Sequence, residues 1–146
     1  MLFVLEGCDG SGKTTVAKHL KNVLPSVEII HCTTDTPNDY QFFSSLIEAS
    51  KTRDIIADRF CYGQFVYQNP AERHLSDAEL TRLEVGMIAA GAKVIHVTAP
   101  VDDIEDRLAF RGEKTNIPVG EICTRYLTLF ENTLIKPYLW WTGDDV

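Results

Sequence analysis

The sequence predicts an α/β domain in which a parallel sheet is covered by helices on both faces. Three observations predict it. Apolar runs of strand length alternate with helix-period segments along the whole chain. The first run, LFVL, is continuously apolar, as a strand buried on both faces requires. That run passes directly into a glycine-rich turn, G-x-x-x-x-G-K-T at residues 7–14, which opens a helix.

The elements follow in order. Residues 2–6 read as a buried first strand, and a helix is expected from about Gly12 to Leu24, with Val16, Leu20, Val23 and Leu24 on one face and Pro25 just beyond. VEIIHC (27–32) reads as a second strand. The polar stretch TTDTPND leads to a helix around Tyr40–Ser50, and DIIAD (54–58) is a short third strand. Ser76-Asp-Ala-Glu79 has the pattern of a capping box, in which the serine caps the N3 amide and the glutamate reaches back. The helix it opens carries Leu80, Leu83 and Met87 and stops at Gly91. KVIHVTA (93–99) is a fourth strand, and DDIEDRLAFR (102–111) is helical by its Ile104–Leu108 spacing. A last helix spans about Val119–Leu134 with Ile122, Tyr126, Leu129 and Phe130 inward. LWWTGDDV supplies a short fifth strand and a loop.

Composition narrows the function classes. The 146 residues suit one domain, 1–146, with a real core. No apolar run approaches the roughly 20 residues of a membrane helix, and MLFVLEG lacks the basic flank of a signal peptide. The net charge of −7 argues against a nucleic-acid polymer as partner but not against a small phosphate ligand, which a few local donors can bind. The cysteines at 8, 32, 61 and 123 form no CxxC pair and read as free thiols of a cytoplasmic protein.

Gly7-Cys8-Asp9-Gly10-Ser11-Gly12-Lys13-Thr14 matches the phosphate-loop pattern without a mismatch, and Thr15 continues it into the helix. Its amides and the helix N-terminus suit an anion. Lys13 is placed to reach the β- and γ-phosphates, and the Thr14 hydroxyl to ligate Mg²⁺. The donor is expected to be ATP. The chain contains no NKxD, which a guanine-reading GTPase needs. Asp58 at the end of the third strand suits Mg²⁺ through water. It is followed by Arg59 rather than by a water-activating glutamate, which favours transfer to an acceptor over hydrolysis.

Three segments together resemble the thymidylate kinase family of nucleoside monophosphate kinases: EGCDGSGKTT (6–15), DRFCYGQFVYQ (58–68) and the basic RLAFRGEK (107–114). The resemblance implies a three-layer P-loop NTPase fold with about five strands in the order 2-3-1-4-5. It implies that Asp9 contacts the acceptor sugar and Arg59 clamps the acceptor phosphate. Gln64 then reads a pyrimidine edge and Tyr67 packs under the deoxyribose. It also implies a lid over about 107–118. Because Gly10 stands where some members carry a loop arginine, the transition-state cation must come from Arg107, Arg111 or Lys114, with Arg111 favoured beside Gly112. Members of the family pair through helices flanking the sheet, so the resemblance also implies a homodimer.

The chain departs from the family between strand two and Asp58, where it has room for about one helix and no arginine before Arg53. Phe42 or Phe43 is left as a base platform, Asp35 as an acid near the metal, and TGDD (142–145) as the adenine-side loop. The expected activity is phosphorylation of a pyrimidine deoxynucleoside monophosphate. The alternatives are a deoxynucleoside kinase with Asp35 or Asp58 as base, a kinase for another small molecule, and a nucleotide-binding regulator without turnover.

Overall fold

The computed structural model describes residues 1–143. Strands β1 (Leu2–Glu6), β2 (Glu28–His31), β3 (Ile55–Asp58), β4 (Lys93–Thr98) and β5 (Tyr138–Trp141) form one parallel sheet. Its order is β2-β3-β1-β4-β5, as expected. The helices are α1 (Lys13–Val23), α2 (Tyr40–Ala49), α3 (Gly63–Tyr67), α4 (Asp77–Ala89), α5 (Val101–Phe110) and α6 (Val119–Asn132). No helix among the described residues is long and apolar enough to cross a membrane.

Strand alternation divides the core between two faces. Leu2 and Val4 of β1 point to the larger face, packed with Phe43, Leu83, Met87, Ile122 and Tyr126. Leu5 points to the other face with Ile56, Val97 and the α1 residues Val16 and Ala17. β1 lies at the centre, paired Leu5↔Asp58 with β3 and Glu6↔His96 with β4. The C-terminal ends of these three strands therefore lie side by side, which is where open α/β sheets bind ligands.

Local chemistry explains the helix ends. The capping box of α4 is formed, with Glu79 N–H donating to Ser76 Oγ at 3.1 Å and Ser76 N–H to Glu79 Oε1 at 2.9 Å. Gly91 leaves α4 at φ 71°. One expectation is corrected and one element is added. Val23 is 67% exposed: the packed stripe of α1 runs Val16, Leu20, Leu24, and Val23 lies beside it at the helix end. The single turn α3 was not expected as a helix, because five residues, GQFVY, are too few to show a period.

Buried Glu84 joins distant parts of the larger face. Its carboxylate accepts the Tyr62 hydroxyl at 2.9 Å and the Leu134 and Ile135 amides at 3.0 Å each. A carboxylate on an otherwise apolar helix face is tolerated because its oxygens are paired.

Candidate active site

The phosphate loop joins β1 to α1. Gly7 has no room for a side chain, since a Cβ there would stand 2.2 Å from the Val97 carbonyl oxygen. Gly12 is the N-cap of α1 at φ 104°, a left-handed conformation that glycine adopts freely, and no side chain among the described residues caps the helix. Lys13 folds back along the loop: Nζ donates to Gly7 O at 2.8 Å and Cys8 O at 3.1 Å and lies 3.9 Å from Asp9. Burial, and then the Arg59 charge, draw its ammonium below the usual lysine range. Ser11 Oγ is buried with no partner among the described residues. An uncapped helix start, a buried hydroxyl without a bond and a lysine beside them fit a phosphate chain.

Arg59 faces this loop from the end of β3. Its φ of 65° is left-handed and turns the chain out of the strand. The guanidinium pairs with Asp9, lies 4.8 Å over the Tyr67 ring and donates to Tyr67 Oη at 3.4 Å. Beside it Asp58 meets His31 at the end of β2, with Nδ1 and Oδ2 3.0 Å apart.

On the opposite side α5 is clasped to the loop. Arg107 donates to Gly10 O at 3.1 Å, Thr142 Oγ1 at 3.1 Å and Thr142 O at 2.8 Å. The Thr142 hydroxyl reaches Ser11 O, and its backbone N–H reaches Thr98 O at 2.8 Å. One threonine after β5 thus connects β4, α5 and the loop. Thr142→Val keeps the shape and removes the hydroxyl; it is expected to cost about 1–2 kcal/mol by urea unfolding, with Thr142→Ser close to the wild type.

These parts enclose a cavity of about 1070 Å³. Asp9, Gly10, Gly12, Lys13, Thr14 and Thr15 line it from the loop. Asp58, Arg59, Arg107 and Arg111 line it from the facing elements. Together with the sheet order, this decides the fold. The fold is that of the P-loop kinases. The chain superposes on the YorR protein of Bacillus subtilis, solved in complex with phosphorylated GDP, with TM-score 0.82 and 27% identity over 97% of this chain and 86% of that one. It superposes on M. mycoides deoxyadenosine kinase with bound dATP at TM-score 0.58 and 16% identity, over 100% and 93% of the two chains. For thymidylate kinase from Candida albicans the values are 0.54 and 16%, over 99% and 84%. At that identity the two kinases share the fold with this chain and no more. No protein-family model and no curated protein matches the chain.

In this P-loop kinase fold, several expected residues fall elsewhere. Phe43 is fully buried between Phe42 and Phe60, so it cannot present a face to a base; Phe42 stays half-buried at the rim. The stripe of α2 turns Phe43 inward with Leu46 and Ile47. Both ends of the Gln64 amide are engaged inside the protein, with Nε2 donating to Asn38 O and Oε1 accepting from His74 N–H at 2.9 Å. Asp35 is exposed in the turn after β2, where its N–H bonds Thr33 Oγ1 at 3.2 Å. Lys114 is exposed beyond α5. Of TGDD, Thr142 and Gly143 are seen, and Asp144 and Asp145 lie outside the described residues.

Sequence reasoning missed His31, Phe110 and Glu6, and it placed Thr142 only in an adenine-side loop, not in the clasp with Arg107 and Ser11. Phe110 carried a signal: it lies off the Ile104–Leu108 stripe of α5, and it lines the cavity while 93% exposed. Glu6 stood inside the quoted motif, yet a glutamate at a strand end gives no sign of burial.

Glu6 is 0% exposed and lies beside His96 across the β1–β4 ladder. Burial pushes its carboxyl up to about 7, against the opposing Arg59 charge. Burial, aided by Lys13, pulls His96 down to about 4. The two act oppositely on stability. From about pH 4.5 to 7 native Glu6 holds a proton that the unfolded chain has released, so its contribution falls as pH rises. From pH 6.5 down to about 4 the unfolded chain binds a proton that native His96 does not, so its contribution falls as pH drops. Relative to the wild type, Glu6→Gln is therefore expected to lose stability between pH 7 and 5, and His96→Asn to gain it. Urea unfolding at pH 5, 6 and 7 checks both signs.

Proposed function

We propose that this chain is an ATP-dependent phosphotransferase that passes the terminal phosphoryl group to a nucleoside monophosphate, with a pyrimidine deoxynucleotide such as dTMP as the favoured acceptor. One observation carries the reading: the phosphate loop and Arg59 face each other across one cavity and are joined through Asp9. A donor site and an acceptor-phosphate site side by side are what in-line transfer needs, because the reaction depends on alignment and positive charge more than on covalent help.

In this reading the loop amides and Lys13 hold the donor phosphates. Arg59 forks the acceptor phosphate, Asp9 and Tyr67 face the acceptor sugar, and Arg111 brings charge from the segment 107–118, which closes as a lid over the domain 1–146. Thr14 and Asp58 would hold Mg²⁺; both line the cavity and offer hard oxygen ligands. When bound, the ion neutralises charge on the phosphates. The free thiols of Cys8, Cys32, Cys61 and Cys123 suit a reducing cytoplasm.

A second reading has one observation in its favour. His31 paired with Asp58 at the cavity wall has the arrangement of a carboxylate-oriented base. Such a base suits a hydroxyl acceptor, as in a nucleoside kinase, and is superfluous for a phosphate acceptor.

A coupled assay with Mg²⁺ that reads release of the donor diphosphate, ADP from ATP or GDP from GTP, separates these readings. Its arms are ATP and GTP as donors, because the YorR complex contains a guanine nucleotide, and dNMPs, NMPs and nucleosides as acceptors. The expected result is ADP release dependent on a pyrimidine dNMP and lost in Lys13→Ala. Release only with nucleosides, abolished in His31→Ala, selects the second reading. Nucleotide binding without turnover on any acceptor overturns both.

A further inference from the structure

Glu6 ends β1 at full burial and does not touch the cavity. A carboxylate at that depth needs a partner at each oxygen. Oε2 accepts the Phe60 backbone N–H at 3.0 Å, and Oε1 accepts the Tyr126 hydroxyl of α6 at 3.0 Å. Phe60 follows Arg59, and Arg59 donates its own N–H to Leu5 O at 2.9 Å. Two consecutive amides of the β3 exit are thus held by β1, the first by its backbone and the second by its terminal side chain. These bonds fix the peptide planes on both sides of the Arg59 Cα, which stands at φ 65°. A non-glycine residue persists in that region only where its surroundings hold it. Had β3 continued extended, alternation would send Arg59 to the face opposite Asp58.

We propose that Glu6 is the positioning residue of the acceptor clamp: seated against the Phe60 amide, its carboxylate holds Arg59 in the left-handed turn that directs the guanidinium to Asp9 and Tyr67. This rests on the reading of Arg59 as the group that grips the acceptor phosphate. Glu6 acts only through Arg59, and Tyr126 fixes the carboxylate from its other side.

The test uses the full chain with Glu6→Gln and Glu6→Val. Glutamine keeps both bonds, its oxygen accepting from Phe60 and its NH₂ donating to the Tyr126 oxygen. Valine suits the strand and removes both. The readouts are hydrogen exchange of the Phe60 amide, the Arg59 Nε–Hε resonance, and the KM for acceptor and for ATP. In Glu6→Val the Phe60 amide is expected to exchange at least about 10-fold faster and the Arg59 resonance to shift, with acceptor KM raised about 10-fold and ATP KM unchanged. Glu6→Gln is expected within about 3-fold of the wild type on every readout.

An unmoved Phe60 amide and Arg59 resonance in Glu6→Val overturn the proposal. So does a rise of ATP KM equal to that for the acceptor, which would make Glu6 a support of the loop as a whole. If the Arg59 resonance moves while acceptor KM does not, the positioning role stands and the clamp reading of Arg59 fails. Should the valine variant not fold, Tyr126→Phe frees one carboxylate oxygen; it is expected to shift the Arg59 resonance in a milder form, and no shift there is equally an overturning result.

Discussion

Arg59→Ala is expected to lower kcat/KM for the acceptor on the order of 10³-fold while leaving urea stability within about 1 kcal/mol of the wild type. In the proposed reading the activity term is large because a planar, always-charged fork is removed from the point where two phosphate groups would approach. The stability term is small because the partner left behind, Asp9, is 55% exposed and regains water. Arg59→Lys tests the fork itself: it restores the charge but not the paired donors, and is expected to recover only part of the loss. Arg59→Gly adds a second check. Its backbone adopts φ 65° without the Cβ conflict, so it is expected to be about 1 kcal/mol more stable than Arg59→Ala and just as inactive. An acceptor KM unchanged in Arg59→Ala would remove Arg59 from the acceptor site.

Arg111→Ala is expected to lower kcat about 10²- to 10³-fold with little change in either KM or in stability. Arg111 is exposed and lines the cavity at the end of α5, next to Gly112 at φ 70°. In the proposed reading a side chain so placed adds its charge only when the following segment closes, and so would contribute to the transition state more than to ground-state binding. Arg107→Ala should behave differently. Its guanidinium already holds Gly10 O and both Thr142 oxygens, so its loss is expected to lower stability and raise ATP KM before it lowers kcat. Steady-state kinetics of the two variants beside their unfolding curves separate a transition-state arginine from a loop-holding one. Equal behaviour of the two would sink the distinction.

Most of the fold was legible because it depends on local patterns. The buried strand ahead of the glycine-rich turn, the capping box at Ser76–Glu79 and the Ile104–Leu108 spacing each specify an element within one or two turns of chain. The loop side of the site was legible for the same reason: Gly7 to Thr15 is contiguous, and its chemistry follows from spacing. The proposed acceptor side was legible only in part. Asp9, Arg59 and Tyr67 do come together, but Phe43 turned inward and both ends of the Gln64 amide met partners from other segments. Nothing within a few residues of either position states which neighbours will reach it.

The sequence by itself determined the alternation of strands and helices, the phosphate loop and the basic stretch after β4, because periodicity, glycine spacing and capping act over short distances. Only the tertiary structure decided what surrounds each group. Glu6 and Tyr126 are 120 positions apart and share a hydrogen bond, Arg107 and Thr142 are 35 apart and clasp the loop, and His31 and Asp58 meet across β2 and β3. Burial and partnership set whether a carboxylate holds a turn, binds a metal or faces water, and both depend on the whole sheet being in place.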